Sequence, residues 1–166
     1  MVVTFNNLLS SKDELVGIDR SNPFNVVAMY VHAICSYTPQ NNVVFYDMLQ
    51  YLMGEFQPLS ELAKQNIKDR MMQNDKYKFI GKSYMLGSAP DNDYTPTIPF
   101  SVDVVSNVYT DQEEGFKRLF VQSSGADSLR PITLRLAKDG NYYIWSDSYM
   151  GLLSDIRQPE SSNPWA

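Results

Sequence analysis

Pro131-Ile-Thr-Leu-Arg-Leu-Ala137, Lys138-Asp-Gly-Asn141 and Tyr142-Tyr-Ile-Trp145 form the continuous stretch that decides the fold. Residues 131–137 alternate between apolar and polar side chains, which is the period of a β-strand with one buried face. The Asp-Gly pair that follows favours a tight hairpin turn, because these residues adopt the positive φ angles that such a turn requires. Residues 142–145 are aromatic or β-branched, so we expect them to form the returning strand.

Further strands are predicted before this hairpin. Phe100–Tyr109 and Phe116–Val121 are rich in β-branched and aromatic residues and are separated by the turn Asp111–Gly115, so they predict a second hairpin. Lys78–Met85 is interpreted as an additional strand. The segment Ala89–Pro99 holds three prolines and an Asp/Asn cluster, which favour an ordered loop. The strand-rich half is therefore predicted to cover about 78–147.

The other half, about 10–74, has the period of helices. Capping signals at Ser10 or Ser11, at Asn22-Pro23 and at Asn41-Asn42 predict three helix starts, and a fourth helix follows Pro58. The segment Phe24–Tyr37 is apolar on nearly every side, so it predicts a central, buried helix. The fourth helix is predicted to be amphipathic, and its inward face is formed by Leu59, Leu62, Ala63, Asn66, Ile67, Arg70 and Met71.

Together these elements predict one α+β domain over residues 1–166. About four N-terminal helices should pack on a C-terminal, twisted antiparallel sheet of four to five strands. Residues 154–166 are expected to form an extended tail. Trp165 either anchors this tail across the domain or docks a partner. The anchor is preferred, because Pro159 and Pro164 stiffen its approach.

Composition excludes several classes of function. The net charge of -5 argues against a general nucleic-acid or anionic-membrane binder, because affinity for phosphate comes mainly from clustered Lys and Arg. No apolar run approaches the roughly 20 residues of a membrane-spanning helix, and the N-terminus lacks the pattern of a signal peptide. The single cysteine, Cys35, excludes an internal disulfide and a multi-cysteine metal site. A reducing, cytoplasmic location is the resulting expectation.

The turn Val121–Pro131 is the strongest candidate for a binding site. It places hydroxyls, a glycine, a carboxylate and an arginine between two predicted strands, where binding chemistry is common. In one interpretation it binds a polar or anionic ligand. In the other, which we prefer, its carboxylate pairs with Arg130, Arg135 or Arg157 to form a polar clasp that holds strands and tail together. The candidate ligand-binding residues are Asn92, Tyr94, Ser123, Ser124, Asp127, Arg130 and Arg135.

No catalytic, cofactor-binding or metal-binding residue is assigned. His32 and Cys35 lie three residues apart in the most apolar helix, so a buried structural pair is preferred to a nucleophile and its base. The segment Asp91-Asn-Asp93 resembles part of a calcium loop, but Pro96 and Val102 stand where glycine and glutamate are needed. The aromatic residues of the hairpin region, Tyr142, Tyr143, Trp145 and Tyr149, are interpreted as core packing rather than a stacking surface.

A set of short motifs distributed over nearly the whole chain resembles an uncharacterised bacterial domain family of the gut Gram-positive type. Where that family has a Trp-Phe-Leu-Trp strand, this chain has Tyr142-Tyr-Ile-Trp145. The family has no assigned activity, so the resemblance implies a type of domain and no mechanism. Its motifs are Asn22-Pro-Phe24, Met48-Leu49, Pro58-Leu-Ser60, Ser83-Tyr84 with Gly87, Pro90 and Asn92, Tyr94-Thr-Pro96, Ser123-Ser-Gly-Ala-Asp127, Arg130-Pro131, Leu134-Arg135, Trp145, Ile156-Arg157 with Pro159, and Pro164-Trp-Ala166.

By elimination, a non-enzymatic binding or protein-interaction module is the first functional hypothesis. Its partner would be a protein or a small polar ligand, without nucleic acid, membrane or cofactor. The alternative is a small-ligand-binding or hydrolase-like domain of cone-like fold. Its pocket would lie between the helices and a curved sheet, lined by tyrosines and acids such as Asp103 or Asp147. The oligomeric state is left open.

Overall fold

Five antiparallel strands form one sheet in a computed structural model that describes all 166 residues. The strands lie in chain order across the sheet. The strands predicted from residue 100 onward are confirmed, except that the strand predicted over Phe100–Tyr109 ends at Val105. The strands are β1 (Val2–Phe5), β2 (Phe100–Val105), β3 (Phe116–Val121), β4 (Arg130–Leu136) and β5 (Tyr142–Ile144).

Two features of the sheet differ from the sequence prediction. Strand β1 was not predicted, and it pairs along β2 with Val3 opposite Val102. The predicted strand Lys78–Met85 is wrong, because this segment is mostly helical and only Met85 forms an isolated bridge with Val102. The reason is packing: a Cβ on Gly81 would lie 2.5 Å from Cys35 Sγ. The missing side chain therefore lets a short helix approach Cys35 closely.

Five α-helices and four 3-10 turns complete the chain. Two of the predicted caps are present, because the Ser11 and Asn22 side chains each accept a hydrogen bond from a backbone N–H of the first turn. Asn42 begins its helix without such a bond, and Ser60, which was not predicted as a cap, caps the fourth helix. The four predicted helices are confirmed, and α5 is additional. The helices are α1 (Lys12–Leu15), α2 (Pro23–Cys35), α3 (Val43–Met53), α4 (Glu61–Met72) and α5 (Ile80–Ser83), and the 3-10 turns cover Gln73–Lys78, Pro90–Asn92, Ser148–Leu153 and Glu160–Ser162.

Helix α2 is the centre of the hydrophobic core. Every residue from Val26 to Ile34 is buried, which confirms the predicted central helix. Each fully buried aliphatic side chain of this kind contributes about 1.5–3 kcal/mol to folding. Helix α4 is more peripheral, since only Ile67 and Met71 are buried. The inward placement predicted for Leu62, Asn66 and Arg70 is wrong, because all three are exposed, Leu62 by 71%.

Strand β4 runs from the region of the C-terminal tail to the β4–β5 hairpin. Its first residue, Arg130, lies near the C-terminal tail, and its last, Leu136, lies in the β4–β5 hairpin, about 20 Å away at the usual rise of a strand. Ile132 and Leu134 face the core. The alternation of a strand therefore directs Thr133 and Arg135 to the outer face of the sheet.

None of the helices combines the length and the apolar character that a membrane crossing requires.

Candidate functional site

The serine turn, residues 122–129 between β3 and β4, is built around a buried hydroxyl. Ser123 Oγ donates a hydrogen bond to Ser83 Oγ at 2.8 Å and accepts one from Gly125 N at 3.1 Å. Ser83 Oγ in turn donates to the Ile80 carbonyl at 2.6 Å. The Ser123 hydroxyl therefore has its donor and acceptor capacity committed inside the protein, and no general base contacts it.

Ser124 attaches the same turn to the end of α5. Its backbone N–H donates to the Ser83 carbonyl at 2.8 Å, and its Oγ donates to that carbonyl at 3.1 Å. Ser124 Oγ also lies 3.2 Å from Ser88 Oγ. These contacts join segments about 40 residues apart in the chain, so they stabilise the tertiary structure rather than the turn alone.

The C-terminal tail is hydrogen-bonded to the serine turn through Arg157. Arg157 N donates to the Gly125 carbonyl at 2.9 Å, and the Tyr94 hydroxyl donates to the Arg157 carbonyl at 2.6 Å. The Arg157 guanidinium pairs with Asp127. Burial raises the pKa of Tyr94, and the nearby Arg157 charge opposes that rise. A Cβ on Gly125 would meet the Tyr94 hydroxyl, so glycine is required here for close approach.

Asn92 is committed to its own loop. Its Oδ1 accepts hydrogen bonds from Ala89 N at 2.9 Å and from Thr95 N at 3.0 Å. Its Nδ2 donates to the Gly87 carbonyl at 2.8 Å. This is the local side-chain-to-backbone bonding that Asn provides in turns, and it fixes the loop that carries Tyr94.

Two cations hold the tail at a second point, Asp155. Arg130 donates through Nη2 to the Asp155 carbonyl at 2.5 Å, whereas its Nε is buried and has no partner. Lys76 Nζ lies 3.1 Å from Asp155 Oδ1, and the Lys76 side chain is only 4% exposed. Burial lowers the pKa of Lys76, and its hydrogen bond to Asp155 acts in the opposite direction. Asp155 thus compensates a buried ammonium group.

The structure therefore brings Tyr94, Ser123, Ser124, Asp127 and Arg130 to one region, and Asn92 to the adjoining loop. Their polar groups are directed mainly at one another and at the tail backbone. This arrangement is a polar clasp.

Two residues expected to contribute to this region do not do so. Arg135 is at the opposite end of β4, because five residues of an extended strand separate it from Arg130. The predicted anchoring by Trp165 is wrong, since its side chain is 92% exposed. Arg157 and a hydrogen bond from Ser161 to Asp93 hold the tail instead.

His32 is buried and Cys35 is half-buried, and both lie on the apolar helix α2. His32 Nδ1 accepts a hydrogen bond from Leu9 N at 3.0 Å, and the ring makes an edge contact with Phe5 at 5.3 Å between centroids. Burial lowers the pKa of His32 to about 4, opposed only by the charge of Glu14. Burial also raises the pKa of Cys35 to about 12. A neutral imidazole and a protonated thiol follow at neutral pH, so these groups do not form a nucleophile pair.

The acidic candidates are not gathered into one site. Asp103 is exposed and lies 3.6 Å from the Met1 amino group. Asp147 lines a shallow groove beside α4, far along the chain from Asp91 and Asp93. Nowhere in the chain do three or more His, Cys, Asp or Glu side chains assemble as potential metal ligands.

An open groove on the outer side of the β4–β5 hairpin was not predicted. It encloses about 490 Å³ and combines aromatic, aliphatic and cationic side chains. We call it the aromatic groove. It is lined by Phe56, Gln57, Arg135, Leu136, Ala137, Lys138, Asp139, Tyr143 and Trp145.

Arg135 is held in this groove by two aromatic rings. Its guanidinium carbon lies 4.4 Å from the Trp145 ring centroid and 5.1 Å from that of Phe116. The two rings meet edge to face at 5.7 Å. Cation–π contacts of this kind orient the guanidinium while its N–H groups stay available to a ligand.

The opposite wall of the groove comes from the loop between α3 and α4. The Phe56 side chain is 65% exposed, and its ring meets Tyr143 at 5.0 Å. Gln57 attaches this loop to the sheet: its Nε2 donates to the Ile144 carbonyl at 2.9 Å, and its Oε1 accepts from Ser146 N at 2.8 Å. The two walls are therefore fixed relative to each other before any partner binds.

The sequence contained part of the signal for this groove. Arg135, Tyr143 and Trp145 occupy positions of the same parity on two paired strands, so they share one face. The interpretation of the hairpin aromatics as core packing fits Tyr149, which belongs to the core, and Tyr142, which packs against it. It does not fit Tyr143 and Trp145, which line the groove. Phe56 is distant in the chain, and only the fold places it there.

The fold and these two regions define an α+β domain with an internally bonded polar clasp and an exposed aromatic groove. The chain belongs to the family described as Domain of unknown function (DUF6935), whose model matches residues 10–160. The predicted membership of a family of unknown function is therefore confirmed. No curated protein and no solved structure matches the chain.

Proposed function

We propose that this domain is a non-enzymatic protein-interaction module and that the aromatic groove is its binding surface. The observation that carries the proposal is the exposure of Phe56, Leu136 and Arg135 around one preformed groove. Exposed apolar side chains that are clustered rather than scattered commonly mark interaction sites.

The chemistry of the groove suits a peptide segment of a partner protein. Aromatic residues and arginine dominate the binding energy of protein interfaces, because they combine a large apolar area with directed hydrogen bonding. Trp145 and Phe56 supply that area, and Arg135 supplies donors that no group of the chain occupies. Lys138 adds a second cation at the rim. A segment with an apolar anchor and a carboxylate is the complementary ligand.

The clasp is a weaker candidate for the binding surface. The Ser123 hydroxyl is saturated by Ser83 and Gly125, and Asp127 is paired with Arg157. A ligand would have to displace contacts that hold the tail. The cost of leaving buried polar groups unpaired opposes such displacement.

A bacterial, cytoplasmic setting is part of this proposal. It is supported by the motif resemblance and by Cys35, which is a free, half-buried thiol. A chain without disulfides is suited to a reducing compartment.

The test is peptide selection on the immobilised domain. Peptides selected from a random library should bind Phe56→Ala and Arg135→Ala about tenfold or more weakly than the wild type, as expected for central interface residues. Leu62→Ala is the matched control, because Leu62 is also exposed but lies on α4. Equal affinity of the selected peptides for all four proteins would refute the assignment of the groove.

The small-ligand alternative is favoured by one specific observation. A groove of about 510 Å³ between α4 and the turn Ser148–Leu153 brings Arg70 and Asp147 beside Tyr149. A thermal-shift screen with small polar metabolites discriminates the two functions. A compound that raises the melting temperature of the wild type but not of Arg70→Ala would favour the alternative.

A further inference from the structure

Trp165 is the most exposed large hydrophobic residue of the chain, at 92%. We propose that the aromatic groove of one copy of this protein receives Trp165 of a second copy. This inference rests on the proposed function, and it names the occupant of the groove. It explains both exposed features together, because the indole and the groove are apolar surfaces that would cover each other.

The groove and the tail of one copy lie at opposite ends of the sheet. Ala166 and Glu160 border a hollow together with Arg157 and Pro90, beside the clasp. The groove is at the far end of β4, about 20 Å from Arg130 by the rise of a strand. The tail is therefore directed away from its own groove, and a second copy is the source of the indole.

Local bonding also restricts the reach of the tail. Ser161 is bonded to Asp93, and only three residues separate Ser161 from Trp165, a distance of about 14 Å when the chain is fully extended. They are not extended: Asn163 accepts hydrogen bonds from Trp165 N at 3.0 Å and from Ala166 N at 3.2 Å. The turn presents the indole outward as a compact projection.

The groove is chemically complementary to this projection. Phe56 and Trp145 offer ring edges and faces to an indole, and aromatic pairs of this kind add to the energy of area burial. Arg135 presents a cation to the indole face, which is the strongest aromatic partner for a guanidinium. Glu160 lies on the same tail, and its carboxylate complements Lys138 at the groove rim.

The area involved predicts a weak, reciprocal dimer. If each tail enters the partner's groove, two indoles and the surfaces they cover bury on the order of 1,000 Å², the lower limit for a specific interface. This reciprocal arrangement has twofold symmetry and limits association to the dimer, whereas a one-way contact between tail and groove would add further copies. Interfaces at this lower limit are typically weak and transient, so a dissociation constant on the order of 10–100 µM is taken as the working value.

Sedimentation equilibrium of the full chain tests the association, over about 5–500 µM to bracket that constant. The wild type and the control Leu62→Ala should both associate. Trp165→Ala and Arg135→Glu should each remain monomeric. A wild type that stays monomeric throughout, or a Trp165→Ala variant that associates like the wild type, would overturn the inference.

A second experiment, binding of a tail peptide, tests the contact between Trp165 and the groove. A labelled peptide of residues 158–166 should bind the monomeric Trp165→Ala protein, and should lose about tenfold or more in affinity when its tryptophan is replaced by alanine or the protein carries Arg135→Glu. Absence of binding overturns the second-copy occupant. If library-selected peptides still require Arg135 in that case, the proposed function stands alone. If they do not, the proposed function fails as well.

Discussion

Acidification from about pH 7 to pH 5 should destabilise this protein through the side chain of His32. Its imidazole is buried, its Nδ1 accepts the Leu9 N–H, and its Nε2 is buried without a hydrogen-bond partner. Burial lowers the pKa of His32 from 6.5 to about 4. As the pH falls, His32 therefore takes up a proton in the unfolded chain at a higher pH than in the folded protein. Falling pH thus favours the unfolded state.

The size of the effect follows from these two values. Above the unfolded pKa of 6.5 the stabilising contribution is fully present, and it is lost progressively as the pH falls toward the folded value of about 4. One pKa unit corresponds to about 1.4 kcal/mol. The free energy of unfolding should thus fall by about 2 kcal/mol between about pH 7 and pH 5, and by about 3 kcal/mol in total.

Urea unfolding at a series of pH values measures this change. His32→Asn is the matched variant, because its side-chain oxygen keeps an acceptor near the Leu9 N–H without titrating in this range. Its free energy of unfolding should not show the 2 kcal/mol loss. His32 is the only histidine, so its ring signals report its pKa by NMR directly. A folded-state pKa near 6.5, or equal pH dependence in both proteins, would refute the reasoning.

The polar clasp leads to three further predictions, each measured as a change in the urea midpoint. Ser123→Ala leaves the Gly125 N–H without its partner and should cost about 1–3 kcal/mol; an unchanged midpoint would contradict a structural role. Gly125→Ala places a methyl group against the Tyr94 hydroxyl and should also cost about 1–3 kcal/mol; wild-type stability would show that the close approach is not required. Asp127→Ala removes only an exposed ion pair with Arg157 and should cost less than about 1 kcal/mol; a loss as large as that of Ser123→Ala would make the ion pair, not the buried hydroxyls, the main contact.

Much of the fold could be predicted from local patterns. The alternation in 131–137 and the Asp-Gly turn located β4, β5 and their hairpin. Capping residues located three helix starts, and Pro58 located the fourth. These signals succeeded because each is a property of a few neighbouring residues. Strand β1 was missed because it has four residues and depends on pairing with β2, about 100 residues away.

The predictions that failed depended on contacts distant in sequence. Lys78–Met85 contains β-favouring side chains, but the fit of Gly81 against Cys35 selects a helix. Leu62 has the spacing of an inward residue, yet α4 lies at the edge of the core and leaves it exposed.

The candidate site was predicted only where its residues are neighbours in the sequence. Residues within the serine turn could be grouped because they adjoin in the chain, and Tyr94 joins them through the tail. Arg135 could have been separated from Arg130 by counting five residues along an extended strand. The aromatic groove needed the pairing of β4 with β5 and the position of Phe56, which no local pattern contains.

The indole N–H signal of Trp145 provides the most direct test of the claim that the aromatic groove binds a protein segment. The chain has two tryptophans, so the Trp165→Ala protein gives one indole signal, which belongs to Trp145. Titration with a library-selected peptide should shift this signal in a saturable way, with the same dissociation constant as binding measured independently. Saturable binding that leaves the Trp145 signal unmoved and instead shifts the amides of the serine turn would contradict the account.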